Sequence, residues 1–298
     1  MARLIFAGSP AVATPFLAAL AEHNDIVAVM TRLDAPVGRK RTITPTPVAA
    51  LANDLGLTVI KTNSLRGVAL PDCDLGVVVA YGGLVPSEAL IRPTFGWVNA
   101  HFSLLPALRG AAPVQRGLWN GDSETGITVF SLVEALDAGP ILYQRAIPFV
   151  DGETASEALE RIAVEVANEL SAVVLRFVSG DLTPRDQAGE ITYAPKFSRD
   201  DGRIDWLLDS RVVVNRIRAV TKEPGAFTNN GDSQLAVLRA RVCPDVTLEP
   251  GVVRVVDGCV CVGTNSTAVE LVTVKPAGKT EMSGVDWARG LHAPTRLT

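Results

Sequence analysis

From the first residue to about residue 150, short apolar runs alternate with longer amphipathic ones, the pattern of strands and crossover helices that builds a parallel sheet. Residues 4–7, 25–30, 58–61, 75–80 and 97–100 read as strands, and residues 11–21, 47–55 and 110–120 as helices. Pro15 is tolerable only because it falls near a helix start. Residues 127–132 and 141–148 read as a strand pair, and residues 154–179 as one long helix with Thr154 near its start and Gly180 at its end. A polar stretch at 183–203 carries Pro184, Gly189, Pro195 and Gly202, breaks the periodicity and marks a linker. Beyond it come a helical pattern at 211–220 and short strands at 234–242, 251–256, 259–263 and 269–274, punctuated as in a small β-barrel. The expected architecture is α/β: a sheet domain over residues 1–183, a linker over 184–204 and a smaller barrel domain over 205–298.

Composition narrows the class. With 298 residues, 47% hydrophobic and 20% charged, the chain has enough apolar material for a real core, and disorder, collagen and coiled coil are excluded. The longest uninterrupted apolar stretch, residues 16–21, is far short of a membrane span. The N-terminal run resembles a secretory signal only superficially, because Gly8, Ser9, Pro10 and Pro15 split it into strand, turn and helix. Cys73, Cys243, Cys259 and Cys261 make no disulfide framework, and Cys259-x-Cys261 has no second ligand pair, so they read as cytosolic thiols and no metal site is expected. Residues 1–204 hold 17 Lys and Arg against 22 Asp and Glu, and residues 205–298 hold 11 against 10. The net charge of −4 argues against a general nucleic-acid coat and confines any RNA contact to a local patch.

A doubly wound sheet invites a dinucleotide reading, but the first turn, Gly8-Ser9-Pro10, has one glycine where a pyrophosphate turn wants three, and Pro10 removes a donor. The informative segment follows the strand at 97–100. Asn99 and His101 are two residues apart and project to the same side at the carboxyl end of a strand, where open α/β sheets bind ligands. An amide donor beside an imidazole can hold a developing oxyanion and manage a proton, which acyl transfer to an amine requires. Asp137, on a glycine-containing turn after the strand at 127–132, is the third candidate. On spacing alone, the alternative stays open that His101 caps a turn and Asp137 is an ordinary loop acid.

Asn99, His101, the run Ser103, Leu104, Leu105, Pro106 and the distant Asp137 together resemble the signature of the 10-formyltetrahydrofolate-dependent formyltransferases. Further segments are similar to the branch of that family that acts on methionyl-tRNA. They are the opening Ile5 to Pro10 strand and turn, the basic loop with Arg39, Lys40 and Arg41, the junction with Tyr193 to Lys196 and Gly202 to Trp206, and a closing motif with Lys275, Lys279, Met282 and Ser283. There are two departures. Thr221, Lys222 and Glu223 stand where Asn-Pro-Trp is common, and Ala138 and Pro140 flank Gly139 where Thr and Asp are common.

The resemblance implies a Rossmann-like, mostly parallel sheet domain followed by a smaller OB-like β-barrel domain. It implies formyl transfer from 10-formyltetrahydrofolate to the amino group of initiator methionyl-tRNA, by a cytoplasmic, monomeric enzyme that uses no metal and no membrane. Asn99, His101 and Asp137 would be catalytic, with Asp137 keeping His101 protonated. Ser103, Leu104, Leu105 and Pro106 would bind the folate, the loop Tyr81 to Pro86 would wall its pocket, and Arg39, Lys40 and Arg41 would contact the tRNA. Two alternatives stand beside this: the same chemistry on an amino sugar nucleotide or glycinamide ribonucleotide, and a non-catalytic folate- or RNA-binding protein.

Overall fold

The computed structural model describes every residue of the chain except Arg39 and His292. Packing divides it into two compact units. One is Met1–Gly110, Thr125–Ile147 and Leu159–Tyr193, and the other is Ala111–Glu124, Pro148–Ala158 and Ala194–Thr298.

The elements run β1 (Arg3–Gly8), α1 (Thr14–Ala21), β2 (Asp25–Thr31), β3 (Ala35–Val37), β4 (Thr42–Thr44), α2 (Pro47–Asp54), β5 (Val59–Lys61), β6 (Leu75–Val79), α3 (Ser87–Leu90) and β7 (Trp97–His101). They continue with α4 (Pro113–Asn120), β8 (Glu124–Ser131), β9 (Ile141–Pro148) and α5 (Ala155–Val178). The first unit is built on a seven-stranded sheet in the order β5-β2-β1-β6-β7-β8-β9. The pairings among β5, β2, β1, β6 and β7 are parallel, and β8 runs antiparallel to β7. This is the Rossmann-like arrangement expected. All five residues of β6 are buried, as a strand covered on both faces must be. Trp97 is fully buried, its indole N–H donates to the Ala89 carbonyl at 2.7 Å, and its ring lies so close over Gly76 that any Cβ there would collide with it.

Two helices begin later than their periodicity predicts. Pro15 has no N–H to give, so the run at 11–21 splits into a 3-10 turn, Ala11–Ala13, and α1 with Pro15 in its first turn. The expected helix at 110–120 starts only at Pro113, because the Gly110 and Ala112 N–H groups donate elsewhere, to Asp137 Oδ2 and the Ala194 carbonyl. The basic stretch also holds the small β3–β4 hairpin, whose six residues are all exposed.

The second unit adds α6 (Ser210–Val220), β10 (Phe227–Asn230), β11 (Ser233–Cys243), β12 (Val253–Val256), β13 (Cys259–Val262), β14 (Ala268–Pro276), β15 (Met282–Ser283) and α7 (Gly284–Ala288). Its strands form one antiparallel sheet in the order β10-β11-β14-β13-β12, with β15 beside the far end of β14. This half-barrel is the small β-domain the sequence predicts. A stack of planar groups fastens α4 to α6 and to the segment after Ala194: the Arg116 guanidinium lies 3.7 Å over the Phe197 ring, Phe197 sits 4.9 Å from Trp119, and Arg216 covers Trp119 at 4.5 Å. Cys243, Cys259 and Cys261 are free thiols of this sheet, and Cys243 and Cys261 lie 3.5 Å apart. No helix among the described residues is long and apolar enough to cross a membrane.

Candidate active site

The site is assembled at the end of β7. Period-two alternation sends Asn99 and His101 the same way, as their spacing predicts. Asn99 is half-buried, lines a cavity of about 530 Å³, and its amide has no protein partner among the described residues. Such an amide is free to donate to a ligand. His101 is only 5% exposed and stands edge-on to the buried Phe130.

The tautomer of His101 follows from its neighbours. Nε2 lies 2.9 Å from the Leu108 carbonyl oxygen, which can only accept, so Nε2 carries the hydrogen. Nδ1 is left with its lone pair directed at the Asp137 carboxylate, 3.8 Å away. Burial pushes the His101 pKa below the ordinary imidazole value and outweighs the opposing pull of the Asp137 charge and the bond to Leu108. A protonated resting imidazole, as the sequence reading expects, is therefore replaced by a neutral one.

Asp137 is held by more than its place in the chain. Its backbone is in the left-handed region, φ 46°, which an L residue other than Gly, Asn or Asp adopts at appreciable strain. Oδ2 accepts the Gly110 N–H at 2.7 Å. Two residues on, Gly139 runs so close to β8 that a Cβ would collide with the Ser131 carbonyl oxygen. Pro140, one of the two departures beside Asp137, keeps a useful role, because its carbonyl accepts the Ser131 N–H at 2.9 Å.

None of Ser103, Leu104, Leu105 and Pro106, the turn that follows His101 closely in sequence, lines the cavity. The turn's polar groups are occupied internally. Ser103 Oγ donates to the Ala107 carbonyl at 2.7 Å, Thr128 Oγ1 donates to the Ser103 carbonyl at 2.6 Å, and Gln144 Nε2 donates to the Leu105 carbonyl at 2.8 Å. Leu105 packs with Phe130 and Ile141. The turn thus sets the position of Leu108 and through it the imidazole. The cavity walls come from the loop after β6, where Tyr81 to Pro86 was expected, and from residues 132–136, which carry no signal in sequence. Leu84 and Leu136 expose much of their apolar surface there, at 57% and 60%.

Lys40 and Arg41 are exposed beside the β3–β4 hairpin, at whose base Lys61 pairs with Asp34 at 2.7 Å. Arg39 lies outside the described residues. Lys275 and Lys279 belong to the second unit, on β14 and just after it. Among the described residues no group of three or more His, Cys, Asp or Glu could hold a metal ion.

A free amide donor and a fixed carboxylate that line a cavity, with a buried imidazole 3.8 Å from the carboxylate, form a set suited to acyl transfer between nitrogens. Residues 2–174 match the family described as formyl transferase, and residues 196–292 match its C-terminal domain. The chain belongs to the formyl transferase family. Within it, the chain is similar from end to end to the methionyl-tRNA formyltransferase of Paenarthrobacter aurescens (strain TC1), 47% identical over 302 residues that cover 99% of each. The solved structure of the methionyl-tRNA formyltransferase from Clostridium thermocellum shares the fold, at 18% identity and a TM-score of 0.57, over 82% of this chain and 95% of that one. So does HypX from Aquifex aeolicus, solved in complex with tetrahydrofolic acid, at 19% identity and a TM-score of 0.64, where 97% of this chain spans 47% of that longer one.

Proposed function

We propose that this chain transfers the formyl group of 10-formyltetrahydrofolate to the free amino group of initiator methionyl-tRNA, giving N-formylmethionyl-tRNA. The observation that carries this reading is the end-to-end likeness, through the C-terminal region as well as the sheet domain, to a protein named for that acceptor. An acceptor as small as an amino sugar nucleotide gives the exposed basic loop no task.

The cavity lined by Asn99, about 530 Å³, combines apolar walls from Val78, Val85, Leu90, Leu132 and Leu136 with polar groups that include Arg66, Glu88 and Glu134; it has the size of a cofactor-class pocket and suits a folate, which carries both a ring system and polar edges. Bound there, the folate supplies the formyl group. Asn99 would donate its amide N–H to the formyl oxygen as that oxygen gains negative charge. The proton lost by the attacking amine would pass to the Asp137 carboxylate, which lines the cavity, be shared with Nδ1 of His101, neutral at rest, and return by the same route to the departing folate nitrogen, so that one C–N bond forms, one breaks and the proton count closes. Asp137 would stabilise the transient imidazolium, as buried carboxylates do for catalytic histidines. Ser103, Leu104, Leu105 and Pro106 would serve the folate side indirectly, by holding the imidazole in place.

Residues 1–183 then form the catalytic domain, 184–204 the linker and 205–298 the domain that contacts tRNA. Arg39, Lys40 and Arg41 reach the acceptor arm. The enzyme acts as a cytoplasmic monomer, and the reading assigns no role to a metal.

The test is formyl transfer from 10-formyltetrahydrofolate to charged initiator tRNA, run beside uncharged tRNA, charged elongator tRNA and an amino sugar nucleotide. Product confined to the charged initiator is the expected result. Formylation of the sugar with none of the tRNA would overturn the acceptor and keep the chemistry.

A further inference from the structure

The segment at residues 181–193 belongs to no helix or strand, yet it crosses the site and contributes one side chain to it. Gln187 Nε2 donates two hydrogen bonds, to the Asp137 carbonyl at 2.8 Å and to the Gly139 carbonyl at 2.9 Å. Its Oε1 accepts from Arg109 NH2 at 2.6 Å. Both amide hydrogens and the amide oxygen are thus engaged, which fixes the orientation of the group. The ends of the segment are secured as well. Arg185 bridges Ile141 through paired backbone bonds of 2.7 and 2.9 Å, and the Thr192 carbonyl accepts the Arg109 N–H at 2.9 Å while Thr192 Oγ1 accepts the Leu108 N–H at 2.8 Å.

We propose that Gln187 is a positioning residue for formyl transfer: its amide clasps the peptide groups of Asp137 and Gly139 and so holds the Asp137 carboxylate against His101 Nδ1. The inference rests on the proposed function for its link to catalysis. The physical case is that Asp137, with its backbone in the left-handed region, lies in a segment that has no regular hydrogen-bond ladder, so its place depends on the contacts its neighbours supply. The Gly110 N–H fixes the side chain of Asp137 from one end, and Gln187 fixes the backbone from the other. Arg109 and Leu108, the residues that anchor Gln187 and His101, are neighbours in sequence, so one short stretch sets both halves of the His101–Asp137 pair.

The test replaces Gln187 by methionine, which keeps the length and removes every hydrogen bond. Asp137 is the charged group set against His101, which otherwise meets the Leu108 carbonyl and apolar surroundings. Loosening Asp137 therefore removes the influence that raises the imidazole pKa. The chain has three histidines, so the His101 titration can be followed by NMR and assigned by its absence in His101→Gln. In Gln187→Met the His101 pKa is expected to fall, kcat to drop on the order of 10- to 100-fold, as a displaced catalytic group commonly does, and KM for the formyl donor to stay near wild type. Gln187→Glu, equal in shape but without donors, should lose a comparable share of kcat, which a packing role alone does not predict. Should Gln187→Met not fold, Arg109→Met removes the support of the same amide, and the same two shifts are expected at reduced size. A folded variant with wild-type kcat and an unmoved His101 titration overturns the proposal, and so does a fall in kcat with the titration unmoved. If the wild-type chain forms no formyl product, the assignment of function fails, and the NMR titration alone still decides whether Gln187 holds Asp137.

Discussion

The end of β7 and the β3–β4 hairpin both carry side chains proposed to act on substrate, and they are built by opposite rules. At β7 the imidazole is buried, its tautomer is set by a carbonyl, and its partner carboxylate is tied down from two sides. At the hairpin every strand residue is exposed, and Lys40 and Arg41 stand in solvent. Proton transfer and oxyanion stabilisation depend on geometry that is fixed before the substrate arrives. Attraction to a polyanion depends on the sign and number of charges within reach, and tolerates loose positions. Damage at β7 should therefore be large and specific to the chemical step, and damage at the hairpin moderate and sensitive to salt.

The largest effect is expected from the first arm of that comparison. Asn99→Ala removes the amide proposed to face the formyl oxygen, and loss of one such donor lowers turnover about a hundredfold, or ~3 kcal/mol. His101→Ala should do at least as much, because it removes the proton carrier. In both variants KM for the formyl donor should stay close to wild type, because the loop after β6 and residues 132–136, which supply most of the cavity wall, are unchanged. A fall in donor affinity that matches the fall in kcat would instead place these residues in binding.

His101 also ties the site to stability, with a definite sign. Its folded pKa lies below the ordinary imidazole value because burial disfavours the charge. Above an unfolded pKa of about 6.5 the group is neutral in both states and contributes no pH dependence. As the pH falls below that value the unfolded chain takes up the proton first, so stability declines with pH until the folded pKa is reached. Urea midpoints measured across this range should fall more steeply for wild type than for His101→Gln. Parallel curves would mean that the imidazole is not held neutral by the fold.

How much of this was legible in the chain follows the same division. The i, i+2 placement of Asn99 and His101 on a strand end is a matter of side-chain period, and sequence carries it. The sheet order, by contrast, depends on which strands neighbour which, and the groups that orient the catalytic set are largely backbone: the Leu108 carbonyl and the Gly110 N–H have no residue signature. Gln187 lies in a stretch readable only as a linker, since nothing in Pro184, Gly189 or Pro195 marks the amide between them. The positive φ of Asp137 is equally silent. The β3–β4 hairpin went unread for a different reason: its three-residue strands bury nothing, so no hydrophobic alternation records them.

The second arm is tested by Lys40→Ala together with Arg41→Ala. On the proposed function this pair should weaken use of tRNA by roughly tenfold and flatten its salt dependence by about one unit of log–log slope per lost phosphate contact. Donor binding and thermal stability should not move, because neither side chain is buried. An equal loss of donor binding would make the loop a support for the cavity.

The smallest effect comes from a region that serves neither arm, and it sharpens the comparison for that reason. At the start of α5, Glu157 Oε2 accepts the N–H and Oγ1 hydrogens of Thr154, both at 2.9 Å, while Thr154 Oγ1 receives the Glu157 N–H at 3.4 Å, a reciprocal cap. Thr154→Ala should lower folding stability by about 1 kcal/mol and leave kcat unchanged. The Thr154 N–H is the first cause of the depressed Glu157 pKa. The contribution of the cap is therefore present above the ordinary glutamate pKa and fades as the pH falls through the folded one. Denaturation and turnover measured on the same preparation would show a protein that is less stable and equally fast, the converse of Asn99→Ala. If Thr154→Ala slowed turnover as well, a general loosening of the fold could explain part of the losses at β7, and the contrast between a fixed site and an open charged loop would have to be redrawn.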